Sequence, residues 1–221
     1  MTPVLFESCV DSLQAAVASE RGGAGRIELC ARLDVAGLTP SLDLVRGCAG
    51  AVTIPVFVMV RPRAGDFVYT SGDIDAMVRS IGAAAAAGAR GIVTGALGRD
   101  ATVDADAMRR LIAAARPLPV TFHRAIDATR DRDEALDALI ALGVDRVLTS
   151  GGAPTALEGA DAIARLVARA GGRMTIIAGG SVRAGNVREI VRRTGVREVH
   201  AWIVRSDAGD PDVATLVREL D

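Results

Sequence analysis

Two short segments near the start of the chain pair a carboxylate with a thiol at the same spacing: Glu7 and Cys9 in VLFESC, Glu28 and Cys30 in RIELCA. In an extended strand, residues two apart point to the same side. Each segment therefore offers an acid and a sulfur to a single space. PVFVMVRPR brings Arg61 and Arg63 at that spacing, and VTFHRAID brings Thr121 and His123. Carboxylate, guanidinium and imidazole groups gathered on one cavity are the groups of anion binding and acid–base chemistry. In that reading Arg61 anchors an anion, His123 moves a proton, and Glu7 or Glu28 is the complementary acid or base. Asp127, four residues past His123, either fixes the imidazole tautomer or caps the next turn. A plainer use is open too. Glu7 and Glu28 could pair with Arg61 in an interior salt-bridge cluster, although burying such charges costs several kcal/mol per ion before pairing.

The thiols carry a different chemistry. If Cys9 and Cys30 end adjacent strands, their backbones lie ~4.8 Å apart, and two thiolates at that separation suit a soft ion such as Cu(I). Buried free cysteine is also commonly inert packing, which is the reading for Cys48 in a helical segment. HxH, HExxH and CxxC patterns are absent, so a hard catalytic metal site has no support. The segments TSGG (149–152) and AGGS (178–181) place Ser150, Gly151, Gly179 and Gly180 where backbone N–H groups could cradle an anion; tight turns are the alternative. Arg124, one residue out of phase with His123, fits a surface ion pair. His200 in EVHAW either lines the cavity or sits satisfied in the core.

All of this requires elements that bring those segment ends together. Eight β-rich runs recur along the chain, at 4–9, 26–31, 55–61, 91–97, 119–125, 146–152, 174–180 and 198–203. Ala/Leu/Arg segments of helical period lie between them, as where Leu136, Leu139 and Ile140 share a face. Capping residues open the helices: Asp11 or Ser12, Ser41, Asp104, Asp131, Thr155, and Asp210 with Pro211. One strand–helix unit per roughly 28 residues, with no break in composition, predicts a single domain over 1–221 with the α/β architecture of a (β/α)8 TIM barrel. An open doubly wound sheet is the competing architecture, but no GxGxxG turn follows the first run. In a barrel of this kind the C-terminal strand ends form the site, and the polar residues cluster there.

Composition narrows the classes. The chain has 221 residues, half of them hydrophobic but only 3% aromatic, so the core is aliphatic. The 26 basic residues are all Arg, which excludes a Schiff-base lysine and a Walker-type phosphate loop. A net charge of −1 gives no basic surface for nucleic acid. Three cysteines are too few for a secreted disulfide framework. No leader-like segment and no apolar run of ~18 residues is present. The expectation is a cytoplasmic protein that neither spans a membrane nor uses an organic cofactor.

In order along the chain, RIELCARLDVAGLTPS, VMVRPRAGDFVY, GIVTGAL, VTFHRAID, RVLTSGG, IIAGGSVRAGNV and EVHAW resemble the signature segments of the CutC copper homeostasis family. RPRAGDF and TFHRAID are the specific ones. The resemblance implies a TIM barrel, a cytosolic location, self-association as a homodimer, and copper as the partner. The family's Cu(I) thiols fall on Cys9 and Cys30, and its polar pocket residues on Glu7, Glu28, Arg61, His123 and Asp127. The chain departs from the family pattern at the last strand, where Trp202 follows His200 and Ala201 in place of small residues, and in the single short helix after it. A reshaped site there is the expectation. Two functions remain in view: a copper homeostasis protein that binds Cu(I) at the barrel mouth, or an isomerase or lyase acting on a small anionic or phosphorylated molecule.

Overall fold

The computed structural model describes residues 4–203 and 213–220. The strands are β1 (Leu5–Val10), β2 (Arg26–Leu29), β3 (Val56–Met59), β4 (Gly91–Thr94), β5 (Val120–Phe122), β6 (Arg146–Thr149), β7 (Thr175–Gly179) and β8 (Glu198–Trp202). The helices are α1 (Leu13–Arg21), α2 (Leu42–Ala51), α3 (Ser71–Ala86), α4 (Ala105–Ala115), α5 (Arg132–Ala141), α6 (Ala160–Ala170), α7 (Ala184–Thr194) and α8 (Val213–Arg218). Short 3-10 turns cover Leu33–Val35 and Arg124–Ala128. The strands pair in sequence order, all parallel, and β8 pairs with β1 to close the barrel. This is the (β/α)8 architecture.

Strand alternation divides the core in two. Phe6, Ile27, Val58, Ile92 and Val120 point outward and are buried beneath the helices. The helices meet them with residues three or four apart: Ile74, Met77 and Ile81 on α3, Met108, Leu111 and Ile112 on α4, Ile163 and Leu166 on α6. Each such side chain contributes ~1.5–3 kcal/mol when fully buried. The inward residues are unlike them. Cys9, Cys30, Phe57, Met59 and Val93 form a small separate cluster inside the barrel. Below it the ring of Phe57 lies between two guanidinium groups, with the Cζ atoms of Arg26 and Arg146 at 5.0 and 5.1 Å from its centroid.

The helix starts follow their capping chemistry. Ser12, Ser41, Asp104 and Asp131 each accept a first-turn backbone N–H. Thr70 and Asp73 add a reciprocal capping box on α3 that the sequence reading did not single out. Two expectations change. Thr155 accepts from the N–H of Glu158 in a turn that precedes α6, whose own N-cap is Gly159. Asp210 and Pro211 lie outside the described residues. The third and fifth runs also end early. β3 stops at Met59 and β5 at Phe122, so Arg61 and His123 stand on the loops just past the strand ends.

Candidate functional site

Those loop positions open onto a cavity of about 470 Å³ at the C-terminal end of the barrel. Cys9, Glu28, Cys30 and His200 line one side, and Arg61 and His123 line another.

The first wall comes from β1, β2 and β8. Parallel register sets Cys9 opposite Glu28 and Trp202, and Glu7 opposite Arg26 and His200. The Cys9 thiol donates to Cys30 Sγ at 3.9 Å, and the Cys30 thiol donates to Glu28 Oε2 at 3.5 Å. Both thiols hold their protons. The mutual hydrogen bond and burial push Cys9 well above the ordinary thiol range. The bond from Cys9 favours the Cys30 thiolate, but burial and the Glu28 carboxylate outweigh it and push Cys30 up to about 11. One layer deeper, Arg26 binds both Glu7 and Glu198, and His200 Nδ1 lies 2.8 Å from Glu7 Oε1. The other imidazole nitrogen faces Glu28 Oε2 at 3.7 Å. Burial opposes charge on all these groups. Around His200, the carboxylates of Glu28 and Glu7 and the Cys9 thiol overcome that opposition and hold the imidazole protonated. Arg26 and His200 likewise overcome it for Glu7, at about 2. For Glu28 burial prevails, with Glu7 adding to it, and the carboxyl lies above its usual range. One imidazolium is thus shared unequally between two acids.

The second wall is built on Arg61 and His123. Arg61 Nη1 donates to the carbonyls of Val35 and Gly37 at 2.8 and 3.0 Å, and Nη2 donates to Gly65 O at 3.0 Å. Its Nε has no partner. His123 accepts the Ala125 N–H at Nδ1, 3.3 Å away, so its proton sits on Nε2, which also has no partner. Burial first, and the Arg61 charge second, lower its pKa to about 3. His123 is therefore a neutral hydrogen-bond donor on a residue that lines the cavity. Phe67 packs against both groups, 4.9 Å from the His123 ring and 5.0 Å from Arg61 Cζ. Gly180, Ser181, Arg124, Arg183 and Trp202 complete the rim.

Several expectations are corrected by this geometry. Asp127 does not touch His123. It accepts from the Thr149 hydroxyl, from the N–H groups of Ser150 and Gly152, both at 3.0 Å, and from Arg124 at 2.9 Å. The donors expected to cradle an external anion are used internally, Ser150 N–H on the Asp127 carboxylate and Gly151 N–H on the Thr149 hydroxyl, and neither residue lines the cavity. Gly179 does not line it either; a Cβ there would stand 2.6 Å from Leu148 Cδ1, so the glycine makes room for interior packing. Gly180 alone of the four reaches the cavity. Glu7 lies beneath the cavity rather than on its surface. Arg61 pairs with neither Glu7 nor Glu28; Arg26 takes Glu7, and Glu28 faces His200. Sequence reasoning missed Arg26, Arg146 and Glu198, yet a spacing of two leads from Glu28 to Arg26 and from His200 to Glu198. His200 is both a cavity residue and a satisfied core residue. Arg124 makes its ion pair, with Asp127, but lines the rim.

Among the described residues two groups have ligand atoms close enough to share a metal: Cys9, Glu28 and Cys30, and Glu7, Glu28 and His200, each within 4.8 Å. In the second the groups are already committed, Glu7 to Arg26 and His200, and His200 to both glutamates. The first offers two soft sulfurs beside a carboxylate.

A sequence model described as the CutC family matches residues 4–204. The chain is 47% identical over 196 residues to the copper homeostasis protein cutC homolog of Homo sapiens, covering 89% of this chain and 72% of that protein. It is 48% identical over 197 residues to a protein CutC of Caulobacter vibrioides, covering 89% and 80%. The crystal structure of CutC from Streptococcus agalactiae matches with a TM-score of 0.86 at 33% identity, covering 89% of this chain and 97% of that one.

Proposed function

This chain belongs to the CutC family, and from that premise we propose that it is a copper homeostasis protein that takes Cu(I) between Cys9 and Cys30 at the barrel mouth. One observation carries the reading: two buried thiols 3.9 Å apart on a cavity wall, with Glu28 at 3.5 Å from one of them. Soft sulfur ligands select a soft monovalent ion. The raised thiol pKa values mean that loading must displace protons, so affinity should rise with pH. Copper here is cargo, bound without turnover. A cytoplasmic homodimer is part of the same reading. No helix among the described residues is long and apolar enough to cross a membrane.

The test is an anaerobic Cu(I) titration against a chromophoric chelator. The single tryptophan of the chain, Trp202, stands opposite Cys9 on the rim and provides a fluorescence readout. The Cys9→Ser, Cys30→Ser double variant should bind about a hundredfold more weakly, while Cys48→Ser, buried in α2, should match the parent. Equal affinity in the double variant and the parent rejects the thiol site.

A further inference from the structure

We propose that the same cavity binds a small organic monoanion, a hydroxylated carboxylate whose anionic oxygen takes the free N–H groups of Arg61 and His123. The charge balance of the interior points to it. Glu7, Glu28 and Glu198 face Arg26, Arg146 and His200, three acids against three cations. Arg124 has Asp127. Arg61 is only 5% exposed and has no salt-bridge partner among the described residues; its hydrogen bonds go to neutral carbonyls. An uncompensated buried charge costs several kcal/mol, and an anion in the cavity supplies the missing counter-charge.

The donors agree with the charge. Arg61 Nε and His123 Nε2 are buried N–H groups without partners, on residues that both line the cavity and both pack on Phe67. Because His123 is neutral, it adds a hydrogen bond and no second positive charge beside Arg61, which suits a monoanion at this pair; Arg183 stands apart on the exposed rim. On the facing wall Glu28 Oε1 also lacks a partner. A carboxylate oxygen accepts, so the ligand must bring a donor, such as a hydroxyl, to that side. A cavity of about 470 Å³ is of the size that holds a small molecule. The anion itself sits on the wall opposite the thiols, and only the ligand's hydroxyl reaches Glu28 beside them.

The experiment uses copper-free protein at constant ionic strength, with glycerate, propanoate, glyceramide and inorganic phosphate as probes. The chain has two histidines, so the His123 ring resonances are readily assigned. Glycerate is expected to shift them and to raise Tm. Propanoate, without hydroxyls, should bind about tenfold more weakly, and neutral glyceramide should leave both readouts unmoved. Arg61→Gln should weaken glycerate at least about tenfold. Should that variant not fold, the contrast between glycerate and glyceramide on the parent protein decides. No carboxylate moving His123, glyceramide or propanoate equalling glycerate, or phosphate binding in preference to it would each overturn the proposal.

Discussion

His200 on β8 and Glu7 on β1 are joined across the seam where the barrel closes, Nδ1 to Oε1 at 2.8 Å. The first and last strands are thus held by an ion pair in the interior as well as by their backbone ladder. Arg26 ties β2 into the same knot through Glu7, and Glu198 adds β8 again.

Removing one partner from such a knot leaves its neighbours charged and unmatched. Glu7→Gln should cost about 3–5 kcal/mol in urea unfolding. The pH dependence has a definite sign. Glu7 lies at about 2 in the fold against 4.5 as its ordinary value. Between those pH values the unfolded chain binds a proton that the native chain refuses. Its contribution is therefore full above pH 4.5 and is lost as pH falls toward 2, at up to ~1.4 kcal/mol per unit. Glu7→Gln should flatten that part of the stability profile.

His123 gives a second window. Its folded pKa of about 3 lies below the ordinary 6.5. From pH 6.5 down to 3 only the unfolded chain is protonated there, so stability falls as pH falls. Stability measured for the parent and for His123→Gln should differ in slope by up to one proton between pH 4 and 6, roughly 1.4 kcal/mol per unit. Nitrogen NMR should find His123 as the neutral Nε2–H tautomer at pH 5. A charged imidazolium at that pH contradicts the assignment.

Asp127 organises the loop after β6. Asp127→Ala should remove the acceptor shared by the amides of Ser150 and Gly152 and destabilise by about 1–3 kcal/mol. Hydrogen exchange should show those two amides losing protection while the β1–β2 amides keep theirs.

Much of this arrangement can be read from residue types at strand spacing. Glu7, Cys9, Glu28 and Cys30 face inward because alternation leaves them no other side, and the eight-fold repeat forces the ends of their strands together. What alternation cannot supply is partnership between strands. Asp127 looks like a partner for His123 because it is four residues away, but the 3-10 turn at Arg124–Ala128 carries it toward β6 instead. Arg61 looks like a partner for the glutamates because it is the cation nearest the strand ends. Arg26 wins because it stands directly opposite Glu7 in the β1–β2 register, a relationship set by barrel stagger and not by the order of residues.

Gly95 offers a local probe of His123. A Cβ at that position would lie 2.7 Å from His123 Cε1 and 2.8 Å from Nδ1. Gly95→Ala should displace the ring, cost about 1–3 kcal/mol, and disrupt the hydrogen bond from Ala125. A changed His123 NMR signature with an unchanged far-UV spectrum is the expected pattern; an unchanged imidazole signal rejects it.

The Phe57 ring clasped by Arg26 and Arg146 seals the barrel from below. Among the described residues the barrel interior beneath the cavity is packed side chains and not a pore, which makes the cavity a blind well. Whatever enters must depart through the opening it came in by, so loading and unloading take turns at one doorway. A receiver of its contents must come to the rim where Trp202 stands.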